Sequence, residues 1–63
     1  MIKSTKIKQL REDLGLSREK LARLADVSNN TLINIESGKQ QNPTIETMKK
    51  IAKALNVSIE ELV

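Results

Sequence analysis

The stretch "LSREKLARLADVSNNTLINIESGK", Leu16 to Lys39, decides the fold. Twice within it an apolar residue and then a serine precede a helical pattern: Leu16-Ser17 before "REKLARLA", and Val27-Ser28 before "NNTLINIE". Serine is a natural N-cap, and the residue before it can staple to an apolar residue in the first turns of the helix it starts. The implied pairs are Leu16 with Leu21 and Val27 with Leu32. Gly38 follows as a stop signal, so two short helices are expected, about Arg18 to Ala25 and Asn29 to Ser37. The three or so residues between them, "DVS", are too few for antiparallel side-by-side packing. A steep crossing is forced, the geometry of a helix-turn-helix.

The rest of the chain repeats the same punctuation. Ile7, Leu10 and Leu14 fall at helical spacing, with Gly15 as a left-handed stop and Leu16 placed to touch Leu10, which predicts a first helix from Ser4 to Leu14. Thr44 caps a fourth helix behind Pro43, and Ile45, Met48, Ile51, Ala52 and Leu55 supply its apolar stripe. Val57-Ser58 opens a short fifth helix from Ile59, with Val57 stapled to Leu62 and a capping box from Ser58 to Glu61. The second helix is expected to bury Leu21, Ala22, Leu24 and Ala25. No run alternates as a strand does, so the expected class is all-α: five short helices around one aliphatic core, a single domain over 1–63 with the helix-turn-helix at about 18–37.

Composition narrows the chemistry. The 63 residues contain no cysteine and no histidine, which removes disulfides, thiol nucleophiles, the common zinc ligands and the usual general base. No pair of carboxylates or nucleophile and base is marked out by spacing, so neither an enzyme nor a metal or cofactor site is expected. Without Phe, Tyr or Trp the chain lacks the stacking platforms of most readers of unpaired bases. A net charge of +3 is compatible with a polyanionic partner. Neither a signal peptide nor a membrane span is legible, so the default is a cytoplasmic protein with no membrane partner and no evident small-molecule ligand.

The third helix is unusual in its polar face. Advancing about 100° per residue puts Asn29, Asn30, Ile33, Asn34 and Ser37 within an arc of roughly 140°, with Leu32 and Ile35 near the opposite side. A merely solvated face is ordinarily filled with Glu, Lys, Gln or Arg, which disfavour a helix less than Asn does. This face is uncharged. A carboxamide offers a donor and an acceptor together, matching the N6 and N7 edge of adenine in the major groove, and an exposed Ile33 suits a thymine methyl.

The pieces "LGLSREKLA", "VSNNTLINIESGK", Pro43 after the connector and "IAKALNVSIEEL" resemble the Cro/C1-type helix-turn-helix family of phage and bacterial transcription regulators, over about Ile7 to Val63. That resemblance implies a five-helix, lambda-repressor-like DNA-binding domain with Asn29 to Ser37 as recognition helix. It puts Asn29, Asn30, Ile33 and Asn34 at base-reading positions, and Ser28, Thr31, Lys39 and the connector from Gln40 to Asn42 near backbone phosphates. Family members often carry Gln where this chain has Arg18; the arginine suits a phosphate, with a guanine contact as the alternative. Family members also commonly pair the residue matching Glu36 with an arginine in the first helix, here Arg11, an ion pair expected to orient the third helix.

The function expected is therefore a sequence-specific double-stranded DNA-binding regulator, a repressor in the first instance, working as a homodimer on a two-fold operator with half-sites about one helical turn apart. Its dimer surface is expected in Val57 to Val63, with Ile59 or Val63 exposed. The rival readings are a protein-interaction module, antitoxin-like or coactivator-like, and the DNA-binding fragment of a larger repressor. Met1 and the short length favour a complete small protein.

Overall fold

The computed structural model describes residues 2–63. Four α-helices follow one another, α1 Ser4–Asp13, α2 Arg18–Ala25, α3 Asn29–Glu36 and α4 Ile45–Leu55, and the chain closes with a 3-10 turn at Ile59–Glu61; there is no strand among the described residues. Three of the helix starts carry hydroxyl caps. The backbone N–H groups of Lys20, Thr31 and Thr47 donate to the side-chain oxygens of Ser17, Ser28 and Thr44 at 3.0, 3.0 and 3.1 Å. Each satisfies one of the donors that a helix start leaves without a partner.

The helix ends follow their stop residues. Leu16 N–H donates to Arg11 O and Gly15 N–H to Glu12 O, the paired bonds of a Schellman turn, with Gly15 at φ +70°. Gly38, at φ +83°, releases the chain after α3. Asp26 and Asn56 take the same left-handed conformation at the ends of α2 and α4, which their short polar side chains tolerate.

α2 is the hub, packing on both α3 and α4, while α1 lies against α3 and the C-terminal turn against α4. Leu21, Leu32, Ile35, Ile51, Leu62 and Ile7 have no accessible surface, and Ala22, Ala25 and Ala52 fill the narrower spaces between helices. Leu16, Val27 and Val57, the residues before the three serine caps, are half-buried against this core. They fix the angle at which the chain enters each element.

Several apolar expectations are corrected. Leu14, Leu24 and Ile45, each assigned to an apolar stripe, are 53, 57 and 58% exposed. Leu14 is the C-cap of α1, where the chain already turns away, and Ile45 is the first residue of α4. Leu24 lies on an eight-residue helix whose inward side is filled by Leu21, Ala22 and Ala25, leaving no core for a fourth residue. The expected fifth α-helix is only a 3-10 turn of three residues. Leu62 N–H bonds to Ile59 O at 2.8 Å, and Leu62 O accepts from Lys3 N–H at 2.6 Å, so the turn is closed by an i to i+3 bond and its last carbonyl is taken by the N-terminal segment. That segment carries a core residue outside every helical pattern: Ile2 is 4% exposed, and its N–H donates to Gln41 O at 2.9 Å. Residues 2 and 3 thus tie the connector before α4 to the end of the chain.

Candidate nucleic-acid interface

α3 has an inner and an outer side. Leu32 and Ile35 point into the core with no accessible surface. Glu36, one position on, is drawn inward by Arg11 of α1. Arg11 Nε donates to Glu36 Oε2 at 2.8 Å and Nη2 to Oε1 at 3.2 Å, a two-pronged pair, while Nη1 donates to Leu16 O at 2.6 Å. The two side chains keep only 10 and 3% of their surface. One guanidinium therefore locks together α1, the turn that opens α2, and the end of α3. Its donors and the carboxylate are mutually satisfied, which a buried charge pair requires.

On the outer side Asn29, Asn30 and Ser37 are exposed. Asn34 and Ile33, which the helical wheel put on the same open face, are half-buried instead. For Asn34 the cause is the chain just beyond the helix: its carbonyl accepts from Ser37 Oγ at 3.1 Å and from Gln40 N–H at 2.9 Å, so residues 37–40 fold back over it. Ile33 is not one of the apolar side chains packed on the core, and it is less open to solvent than a fully outward position would make it. No Lys, Arg or Asp lies on α3, and its one Glu is turned away from this face.

The residues expected at phosphates surround this helix. Ser28 donates through its hydroxyl to Thr31 Oγ1 at 2.7 Å while capping α3, which leaves the Thr31 hydroxyl hydrogen free to point outward. Arg18 is exposed at the first position of α2. Lys39 is exposed, its N–H donating to Ser37 Oγ at 3.4 Å. Gln40 accepts from Asn42 N–H at 3.2 Å through its side-chain oxygen, so the connector is internally braced and the amide NH2 of Gln40 remains available. At the chain end Val63 is 46% exposed, whereas Ile59 packs onto the core.

Lys8 and Glu12 were not singled out in the sequence, yet both border a cleft beside Arg18. Spacing places Lys8 three residues before Arg11 and four before Glu12 on α1, but the meeting with Arg18 of α2 has no signal in the sequence. Among the described residues no three His, Cys, Asp or Glu side chains are grouped to hold a metal ion, and no helix is long and apolar enough to cross a membrane.

The helix-turn-helix family profile (HTH_3) matches residues 7–62. The HTH-type transcriptional regulator SinR of Bacillus subtilis is 39% identical over 57 residues, covering 90% of this chain and 51% of SinR. The cryptic phage CTXphi transcriptional repressor RstR of Vibrio cholerae is 42% identical over 60 residues, covering 95% of this chain and 53% of RstR. The chain thus spans about half the length of these two relatives. Among solved structures, that of SinR, the master regulator for biofilm formation, in complex with DNA superposes with a TM-score of 0.90 at 36% identity, over 94% of this chain and 97% of that one. With the profile spanning all but the two ends, and the caps, three-residue turn and inward glutamate in place, the chain belongs to the Cro/C1-type helix-turn-helix family.

Proposed function

We propose that the chain binds double-stranded DNA sequence-specifically and regulates transcription, acting as a repressor in the cytoplasm. The observation that carries the reading is the division of α3: its only carboxylate is buried against Arg11, while Asn29 and Asn30 stand exposed on a face with no charge. A carboxylate left on that face would repel phosphate and deter an approach to the groove; a carboxamide offers the paired donor and acceptor that adenine presents in the major groove. The kinship to SinR, solved with DNA, and to RstR, a repressor, supports the same reading.

In the proposed mode, α3 enters the major groove, with Asn29, Asn30 and Asn34 reading base edges and Ile33 offering an apolar contact. Ser28, Thr31, Lys39, Gln40 and Arg18 hold the flanking phosphates and set the register of the helix. The Arg11–Glu36 pair touches no DNA; it holds α3 in position relative to α1 and the start of α2. One such domain reads too few base pairs for useful specificity, so a homodimer is proposed, formed through Val57 to Val63 with Val63 as its exposed apolar residue. The reading calls for no cofactor.

The test is the salt dependence of duplex binding. Contacts to several phosphates release counterions, so log affinity should fall linearly with log salt at a slope of about −0.9 per phosphate. A flat response would overturn the DNA reading and favour a protein partner for α3.

A further inference from the structure

The connector between α3 and α4 is polar where it leaves the helix-turn-helix. Lys39, Gln40, Gln41 and Asn42 are all exposed, so this stretch has no apolar side chain with which to anchor itself. Most of its hydrogen bonds among the described residues are local: Gln40 N–H to Asn34 O at 2.9 Å, Lys39 N–H to Ser37 Oγ at 3.4 Å and Asn42 N–H to Gln40 Oε1 at 3.2 Å. One bond comes from elsewhere in the fold, that of Ile2 N–H to Gln41 O at 2.9 Å. A loop with so few buried contacts ordinarily lies at the low-stability end of a structure.

Ile2 is itself held firmly. Its side chain is 4% exposed within the core, although it lies outside every helix. The next residue clamps the segment from two sides: Lys3 N–H donates to Leu62 O at 2.6 Å, and Lys3 O accepts from Ile7 N–H at 3.2 Å. Lys3 is exposed and makes no side-chain cap bond at the start of α1, so the side chain that anchors the segment is that of Ile2.

We infer that Ile2 is a positioning residue for DNA binding: buried in the core, it pins Gln41 through its backbone and so holds Lys39 and Gln40 in place for phosphate, without touching DNA itself. The inference rests on the DNA-binding reading above, in which those two residues grip the sugar-phosphate backbone. A free connector would have to be ordered on binding, whereas a pinned one has lost that freedom during folding. Gln40 and Asn42 flank the pinned carbonyl, and the bond between them passes the restraint to the Gln40 side chain.

The test measures duplex binding across a salt series for Ile2→Ala, Lys39→Gln, their double variant and Leu55→Ala, at a temperature at which melting shows each to be folded. Leu55, buried at the far end of α4 from the connector, controls for loss of core packing alone. Ile2→Ala should weaken a preferred and a scrambled duplex alike and flatten the salt slope by about 0.9, the share of one phosphate at Lys39. Adding Lys39→Gln to Ile2→Ala should then weaken binding little further, so that the two effects fall short of additive. Leu55→Ala should lower Tm and keep the slope. The inference is overturned if Ile2→Ala keeps the slope, if its effect and that of Lys39→Gln add in full, or if Leu55→Ala flattens the slope as much. Hydrogen exchange gives a reading that needs neither DNA nor a folded Ile2→Ala. In Ile2→Val, the milder truncation, the amides of Gln40 and Asn42 should exchange faster than in the unmodified chain, while Leu55→Ala leaves them protected. Unchanged exchange in Ile2→Val, or equal acceleration in Leu55→Ala, overturns the inference. Failure of the unmodified chain to bind either duplex overturns instead the DNA reading on which it stands.

Discussion

α3 and α4 are built alike and present opposite faces to solvent. Each is started by a hydroxyl that accepts from the backbone three residues on, and each buries two large aliphatic side chains or more against α2 and the core. The outer face of α4 carries Glu46, Lys49, Lys50 and Lys53, and Lys50 Nζ lies 3.6 Å from Glu46 and 3.9 Å from Asp26. That is the dress of a helix whose outer side only meets water. α3 has amides where α4 has charges, and its glutamate faces the other way. The difference cannot come from the demands of the helix itself, because Asn is a poorer helix former than Lys or Glu. The proposed contact of this face with DNA would account for it.

The two glutamates give the largest contrast. Glu36→Gln leaves Arg11 charged and buried without its counter-charge, a loss on the order of 3 kcal/mol. In a domain this small that lowers Tm by more than about 10 °C. Glu46→Gln, at an exposed pair, should leave Tm nearly unchanged. Replacing both members of the buried pair, Arg11→Met with Glu36→Leu, should recover most of the stability, since a well-packed apolar pair removes the stranded charge. Equal melting temperatures for Glu36→Gln and Glu46→Gln would break the comparison.

The next effect is on binding. Asn30→Ala should weaken a preferred duplex by about 1–3 kcal/mol and leave a scrambled duplex nearly unaffected. Equal weakening on both would reduce Asn30 to a backbone contact. The smallest effect belongs to α4: Lys50→Ala, removing both of its exposed pairs, should change unfolding free energy by less than about 0.5 kcal/mol. A larger loss would mean that the outer face of α4 carries structural weight.

Much of this architecture is legible in the chain because it is written in local chemistry. Ser17, Ser28 and Thr44 mark the starts of α2, α3 and α4, and Gly15 and Gly38 mark the ends of α1 and α3, each through a bond or a backbone angle that involves only neighbours. The less legible features depend on contacts distant in sequence. Leu14, Leu24 and Ile45 have helical spacing, yet a core of this size has no room for every apolar side chain, and periodicity alone does not say which is left out. Ile2 sits in an extended segment where no period exists, and only its bond to Gln41 and its burial reveal its role. The half-burial of Asn34 arises from Gln40, six residues on, folding back to bond its carbonyl. The cleft of Lys8 and Arg18 is a meeting of two helices, and neither residue predicts it alone.

The central claim, that the amide face of α3 reads bases while the surrounding residues hold phosphate, is tested most directly by selecting bound sites from randomised duplex DNA at fixed salt. The account predicts enrichment of A·T-containing half-sites, arranged as an inverted repeat about one helical turn, roughly 10–10.5 base pairs, from centre to centre. Recovery of duplexes without any enriched sequence would contradict it, leaving α3 a face that touches DNA but does not read it.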